Sequence, residues 1–156
     1  MLFIQPVLQA GPDLDTIKLL FKEYIEELDE NLGFQSFDKE LENPLLKYGA
    51  LKGALFLAFF NEKPAACIAL QPLEDEGVCE MKRLFVRQPF RKFGIADELV
   101  TILLKEAKAM DYKRMVLDTL ERLQPAIKLY LKHGFSITSA YYQNPLPGVV
   151  FMEKTL

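Results

Sequence analysis

Cysteine is scarce in this chain, with two residues in 156, Cys67 and Cys79. They have neither the partner spacing of a zinc site nor the density of a disulfide framework. A reducing cytoplasm is the expected compartment, and no metal centre is expected. Long apolar runs are missing too. None approaches the ~20 residues that a bilayer span needs, so no membrane partner is expected. The opening Met1-Leu2-Phe3-Ile4-Gln5-Pro6 lacks the basic region and small-residue cleavage site of a secretory signal. Positive charge is in deficit: the net charge is −3 and the pI is about 5.3. That balance argues against nucleic acid as a partner. Neither a Gly-x-x-x-x-Gly-Lys-Ser/Thr loop nor a Gly-x-Gly-x-x-Gly turn occurs, which excludes two common nucleotide fingerprints. There is no internal repeat, low-complexity tract or linker. Residues 1–156 therefore read as one domain, long enough to bury a real core.

Half of the residues are hydrophobic, and their spacing gives an order of elements. Residues 2–8 read as a strand. Asp13 reads as the N-cap of a helix carrying Leu14, Ile17, Leu20, Phe21, Tyr24, Ile25 and Leu28. A shorter helix is predicted from Asp38 to before Pro44. Apolar residues 54–60, a turn at Asn61-Glu62-Lys63-Pro64, residues 65–71 and a reversal at Glu74-Asp75-Glu76-Gly77 predict three successive antiparallel strands. A helix from Gly94 places Ala96, Leu99, Val100, Leu103, Ala107 and Met110 on one stripe. Met115-Val116-Leu117-Asp118 then reads as a buried strand reached by a parallel crossover. Pro125 suits the first turn of a last helix that ends at His133 and Gly134. Two closing strands, 135–138 and 149–152, flank the turn-rich Asn144-Pro145-Leu146-Pro147-Gly148. The resulting class is α+β, with a mixed sheet flanked by helices in the order βααβββαβαββ.

Charge is distributed unevenly along this plan. From Lys82 to Ala96 the basic residues Lys82, Arg83, Arg87, Arg91 and Lys92 meet no acidic one. The run is a strand that stops at Pro89, a loop bearing Gly94 and a helix start. That arrangement presents free N–H groups and the positive helix end to an anion such as phosphate. From Glu23 to Glu42, conversely, eight acidic residues stand against Lys39 alone. This stretch reads either as a solvated helix face or as an acidic wall attracting a cationic amine.

The run Cys79-Glu80-Met81-Lys82-Arg83-Leu84-Phe85-Val86, the loop Arg91-x-x-Gly94-x-Ala96, Leu117-Asp118-Thr119 and Ala126–Phe135 follow in order. Together they resemble the GCN5-related N-acetyltransferase (GNAT) superfamily over essentially the whole chain. The stretches Phe34–Phe37 and Tyr141–Gly148 resemble one bacterial subgroup of it. The resemblance implies acetyl-coenzyme A (acetyl-CoA) as cosubstrate, with its pyrophosphate held by the main chain of Arg91, Lys92, Phe93, Gly94, Ile95 and Ala96. It also implies that the pantetheine arm lies between the strands around Glu80–Arg87 and Met115–Asp118, beside Phe85 and Val86. Tyr130 fills the tyrosine position of the family's Leu-Tyr-x-x-x-Gly-Phe segment, as a proton donor to the departing thiolate or as a packing residue against the cofactor. Glu80 is either the base for the amine or an ion-pair partner on the strand, where alternation puts Glu80, Lys82, Leu84 and Val86 on one face unless the bulge that the family resemblance implies for this strand changes the register. His133 reads as a helix cap and Cys79 as a buried small hydrophobe.

What the resemblance implies is direct acetyl transfer to a primary amine of a small or amino-acid-like acceptor. The alternatives are a protein acetyltransferase acting on lysine or an N-terminus, and a non-catalytic acyl-CoA-binding module. Dimers are frequent in the family, so a homodimer through the closing strands is a further expectation.

Overall fold

The computed structural model describes residues 1–49 and 51–156. The strands are β1 (Leu2–Pro6), β2 (Ala54–Phe60), β3 (Lys63–Pro72), β4 (Val78–Val86), β5 (Arg114–Leu120), β6 (Ser136–Thr138) and β7 (Val149–Thr155). The helices are α1 (Pro12–Leu28), α2 (Phe37–Glu42), α3 (Leu45–Tyr48), α4 (Ile95–Ala109) and α5 (Gln124–Lys132). The seven strands form one mixed sheet in the order β1-β2-β3-β4-β5-β7-β6. Only the β4–β5 pair is parallel, as the α4 crossover demands. The α+β plan is as expected; beyond it, the described residues add the single-turn helix α3 and 3₁₀ turns at Gly33–Gln35 and Gln88–Phe90.

Both faces of the sheet are covered, and alternation along the strands feeds two cores. Ile68, Leu70, Met81, Met115 and Leu117 face α4, which buries Leu99, Val100, Leu103 and Ala107 against them. On the opposite face, Leu55, Leu57, Cys67 and Ala69 receive Ile17, Leu20 and Phe21 of α1. Tyr48 completes that layer, its ring edge-on to Phe21 at 6.1 Å. The β2–β3 reversal uses Asn61 and Glu62 with φ of 50° and 68°. Two successive left-handed residues match the twist of a tight hairpin.

Three local expectations are corrected. Asp13 is not an N-cap: α1 starts at Pro12 after Gly11, and the Asp13 carboxylate accepts instead from the Gln5 side-chain amide. Strand β1 stops at Pro6, before residue 8. The third correction shapes the site. Cys67 pairs with Phe85 and Ala69 with Lys82, so two steps along β3 match three along β4. The additional residue is accommodated at Arg83, whose φ is +59°. Such a bulge reverses the alternation beyond it. Leu84 and Val86 consequently pack on the α4 side, while Glu80 and Lys82 stay on the other face.

Replacement of fully buried Leu103 by alanine should cost about 2–5 kcal/mol, the range for deleting a core leucine side chain. Urea unfolding read by circular dichroism checks this.

Candidate active site

β4 and β5 hydrogen-bond only over Val78↔Arg114, Cys79↔Met115 and Glu80↔Val116. Beyond Glu80 they separate. β5 remains zipped to β7 along its whole length, from Arg114↔Thr155 to Leu120↔Val149. β4, bent at the Arg83 bulge, remains paired with β3 out to Val86. A crevice opens between them, lined by Met81, Leu84, Leu117 and Leu120, with Ala126 and Tyr130 arriving from α5.

The main chain along the crevice is set by the β3 pairing. Arg87 N–H donates to Ala65 C=O at 2.9 Å. Arg87 and, two residues earlier, Phe85 therefore direct their main chain at β3, and Val86 and Leu84 direct theirs into the crevice. The Phe85 ring lies behind, edge-on to Tyr24 at 6.0 Å. Val86 C=O accepts from Arg91 Nε at 2.9 Å.

At the mouth of the crevice stands the loop before α4. Lys92 and Gly94 adopt φ of +73° and +75°, and α4 begins at Ile95 with no side-chain cap. The N–H groups of Ile95, Ala96 and Asp97 precede the first intrahelical donor, Glu98 N–H to Gly94 C=O at 3.1 Å. A Cβ placed on Gly94 would meet nothing within 4 Å. Glycine serves there for its backbone conformation, beside open space that an anion can occupy. Ile95 is buried and anchors the turn, while Phe93 stacks on Phe60 at 4.7 Å rather than facing the loop.

The two charge runs largely answer each other. Arg87 forms a bidentate pair with Glu23 and Arg83 with Glu40, while one guanidinium nitrogen of Arg91 donates to both carboxylate oxygens of Glu27, all at 2.6–2.9 Å. Partly buried Glu23 and exposed Glu27 are i,i+4 neighbours on α1, matching the four-residue spacing of Arg87 and Arg91. The acidic stretch is thus neither wholly solvated nor a free acidic wall. In the loop, Lys92 is left without an ion-pair partner among the described residues.

Tyr130 is buried at the crevice, its ring edge-on to Phe135 at 6.0 Å. Burial raises the pKa of its phenol, which keeps the hydroxyl protonated at neutral pH. Glu80 is also buried. Its carboxylate accepts from Gln71 Nε2 at 2.6 Å and from the Tyr141 hydroxyl, and Lys82 Nζ lies 4.0 Å away. Glu80 and Tyr130 approach the strand opening from different sides, Glu80 within an outer pocket shared with Tyr141 and Tyr142.

Sequence reasoning missed Gln35, Asp118, Tyr142 and Asn144, and the side-chain role of Lys82. Asp118 accepts from Tyr142 OH and, at 2.8 Å, from Asn144 Nδ2. The signal was present in the position of Asp118 at the open end of a strand and in the paired tyrosines of the turn-rich segment. His133 ends α5, its Nε2 2.6 Å from Asp97 on α4. Burial pushes the Cys79 thiol up to about 12, which leaves it inert.

A family model described as the acetyltransferase (GNAT) family matches residues 17–135. An uncharacterised N-acetyltransferase of Schizosaccharomyces pombe is 43% identical over 142 residues, spanning 90% of this chain and 87% of its own. The crystal structure of an acetyltransferase from Streptococcus agalactiae superposes with a TM-score of 0.79 at 22% identity, covering 99% of this chain and 98% of its own. A GNAT acetyltransferase from Elizabethkingia anophelis with acetyl-CoA bound gives a TM-score of 0.67 at 24% identity, covering 99% and 98%.

Burial acts to raise the Glu40 carboxyl, and Arg83 and Lys47 outweigh it, holding the group below its ordinary range. A depressed carboxylate contributes stability that is present above its unfolded value, about 4.3, and is lost as pH falls through the folded value. Glu40→Gln should flatten the acid limb of a stability–pH curve measured by urea unfolding. Glu40→Ala should cost about 3–5 kcal/mol at pH 7, since it strands a buried guanidinium.

Proposed function

Because the chain belongs to the GNAT family of acetyltransferases, we propose that it transfers acetyl directly from acetyl-CoA to the primary amine of a small, amino-acid-like acceptor. The observation that carries this reading is the crevice between β4 and β5, with an uncapped helix start at its mouth. The residues present fit the cosubstrate. Open space over Gly94 and the N–H groups of Ile95 and Ala96 suit a diphosphate, with the α4 dipole and Lys92 adding positive potential. The main chain of Arg91 and Phe93 shapes the turn, while the Arg91 side chain holds it to Val86 and Glu27.

Bound acetyl-CoA would supply the activated acyl group and a thiol leaving group. In this reading, the inward main chain of Leu84 and Val86 aligns the pantetheine arm, and a strand N–H polarises the carbonyl. Phe85 supports the strand from behind. Tyr130 holds at its hydroxyl the proton that the departing sulfur needs. Glu80 takes the proton of the acceptor amine, its carboxylate oriented by Gln71 and Tyr141. The S. pombe relative's description as an N-acetyltransferase and the acetyl-CoA in the Elizabethkingia structure support this reading.

Thiol release from acetyl-CoA against a panel of amines tests it: turnover is expected, and binding of acetyl-CoA without turnover on any amine would point to a binding module. Tyr130→Phe should lower kcat by on the order of a hundredfold with little change in acetyl-CoA affinity. Unchanged turnover where chemistry limits the rate would remove Tyr130 from the mechanism. Gly94→Val should weaken CoA binding on the order of tenfold or more, because valine resists the left-handed backbone. Calorimetry reads that loss directly.

A further inference from the structure

Two residues, Gln35 and Lys82, line both the crevice and the outer pocket. They stand where a donor lying along β4 would meet an acceptor entering past Tyr141. The Lys82 side chain is 5% exposed. Its ammonium has three donors, and the described residues take one of them, through Gln35 Oε1 at 3.2 Å. The neighbouring carboxylates lie beyond hydrogen-bond range, Asp118 at 3.8 Å and Glu80 at 4.0 Å. Each of those carboxylates already accepts a tyrosine hydroxyl, from Tyr142 and Tyr141 respectively. A buried ammonium with unspent donors at the edge of a pocket is costly unless a guest completes its shell.

The charges around it restrict the guest. Lys82 lies between Glu80 and Asp118, and next to them Arg83 and Lys47 share Glu40 at 2.8 and 3.1 Å. These three cations and three anions sum to zero; of the other charges lining the outer pocket, Arg114 is paired with Glu153, and Glu74 and Asp75 are exposed to solvent. A guest with net charge would leave that charge uncompensated in a buried place. A guest carrying one charge of each sign would not.

We infer that Lys82 is the acceptor-recognition residue, binding a carboxylate carried by the acceptor while the acceptor's amine faces Glu80. The acceptor is then a free, zwitterionic amino acid, not a simple amine and not a peptide-bound lysine or N-terminus. The inference deepens the N-acetyltransferase reading and rests on it. Gln35 positions Lys82: its carbonyl oxygen accepts from both Lys82 and Arg83, at 3.2 and 3.0 Å, and its amide donates to Tyr142 OH at 3.0 Å.

The test compares the standard amino acids with their methyl esters, their decarboxylated amines and a lysine-containing peptide. Initial rates come from thiol release, and affinities from titration of the same compounds into protein saturated with CoA. Expected is a preference in kcat/KM for at least one free acid over its own ester and amine of on the order of tenfold to a hundredfold, the range for a charge-assisted contact. Lys82→Met should collapse that ratio towards one, and Lys82→Arg should restore part of it. CoA titration in parallel reports whether each variant is folded. Equal or better rates with esters, amines or the peptide in the unmodified protein overturn the inference and leave acetyl transfer standing, even if Lys82→Met does not fold. So does an acid preference that survives Lys82→Met. Thiol release with none of the compounds would instead sink the N-acetyltransferase reading itself.

Discussion

The bulge at Arg83 is the constraint on which the rest of the molecule depends. A strand paired on both sides has no free main chain to offer. β5 is held along its full length by β7, so an opening in the sheet requires β4 to turn away. One inserted residue with left-handed backbone does this. It also reverses which side chains face which core, sending Leu84 and Val86 to α4 and leaving Glu80, Lys82 and Arg83 under α2 and the β6–β7 loop. A left-handed arginine is unfavourable by itself. Glu40 and Gln35 hold its guanidinium through three hydrogen bonds, and Phe37 covers it with the ring centroid 5.3 Å away. Strain in the strand is thus offset by ionic contacts with α2.

The same economy governs the charge runs. A basic segment facing an acidic one looks in sequence like two separate surfaces. Folded, Arg87 and Arg91 reach across to Glu23 and Glu27, so α1 is bolted to the end of β4 and to the loop that follows it, on the β4 side of the crevice. On the proposed reading the anion-holding potential is concentrated at the main chain and Lys92, while the arginines serve as struts. A main-chain anion site is fixed in position by the fold, whereas flexible arginines would have to be ordered on binding.

The layout was largely legible in the sequence. Strong periodicity in α1 and α4, the glycine before Ile95 and the proline at the start of α5 each point to one element with little competition. The residues Met81-Lys82-Arg83-Leu84 do not themselves mark the bulge, which only the family resemblance raised; strict alternation is the default until β3 is seen opposite. Nor does a basic run by itself show that Lys82 is buried. Asp118 lies far along the chain from the adjacent Tyr141 and Tyr142, and the β5–β7 pairing helps bring them to one place. Short α3 escaped because four residues after a proline carry no periodicity to detect. The N-cap at Asp13 failed for a local reason, since Pro12 can already open a helix and the Asp13 side chain has a better partner in Gln5.

One small cluster lies outside both the crevice and the outer pocket. Asp97 in the first turn of α4 is gripped by Lys132 and His133 at the end of α5, at 3.0 and 2.6 Å. The helix whose start would hold the diphosphate and the helix that carries Tyr130 are latched together at that point. On the proposed reading, the span between the two ends of a long, floppy thioester carrier would be gauged by the protein, with the latch limiting how far the hydroxyl drifts from the sulfur.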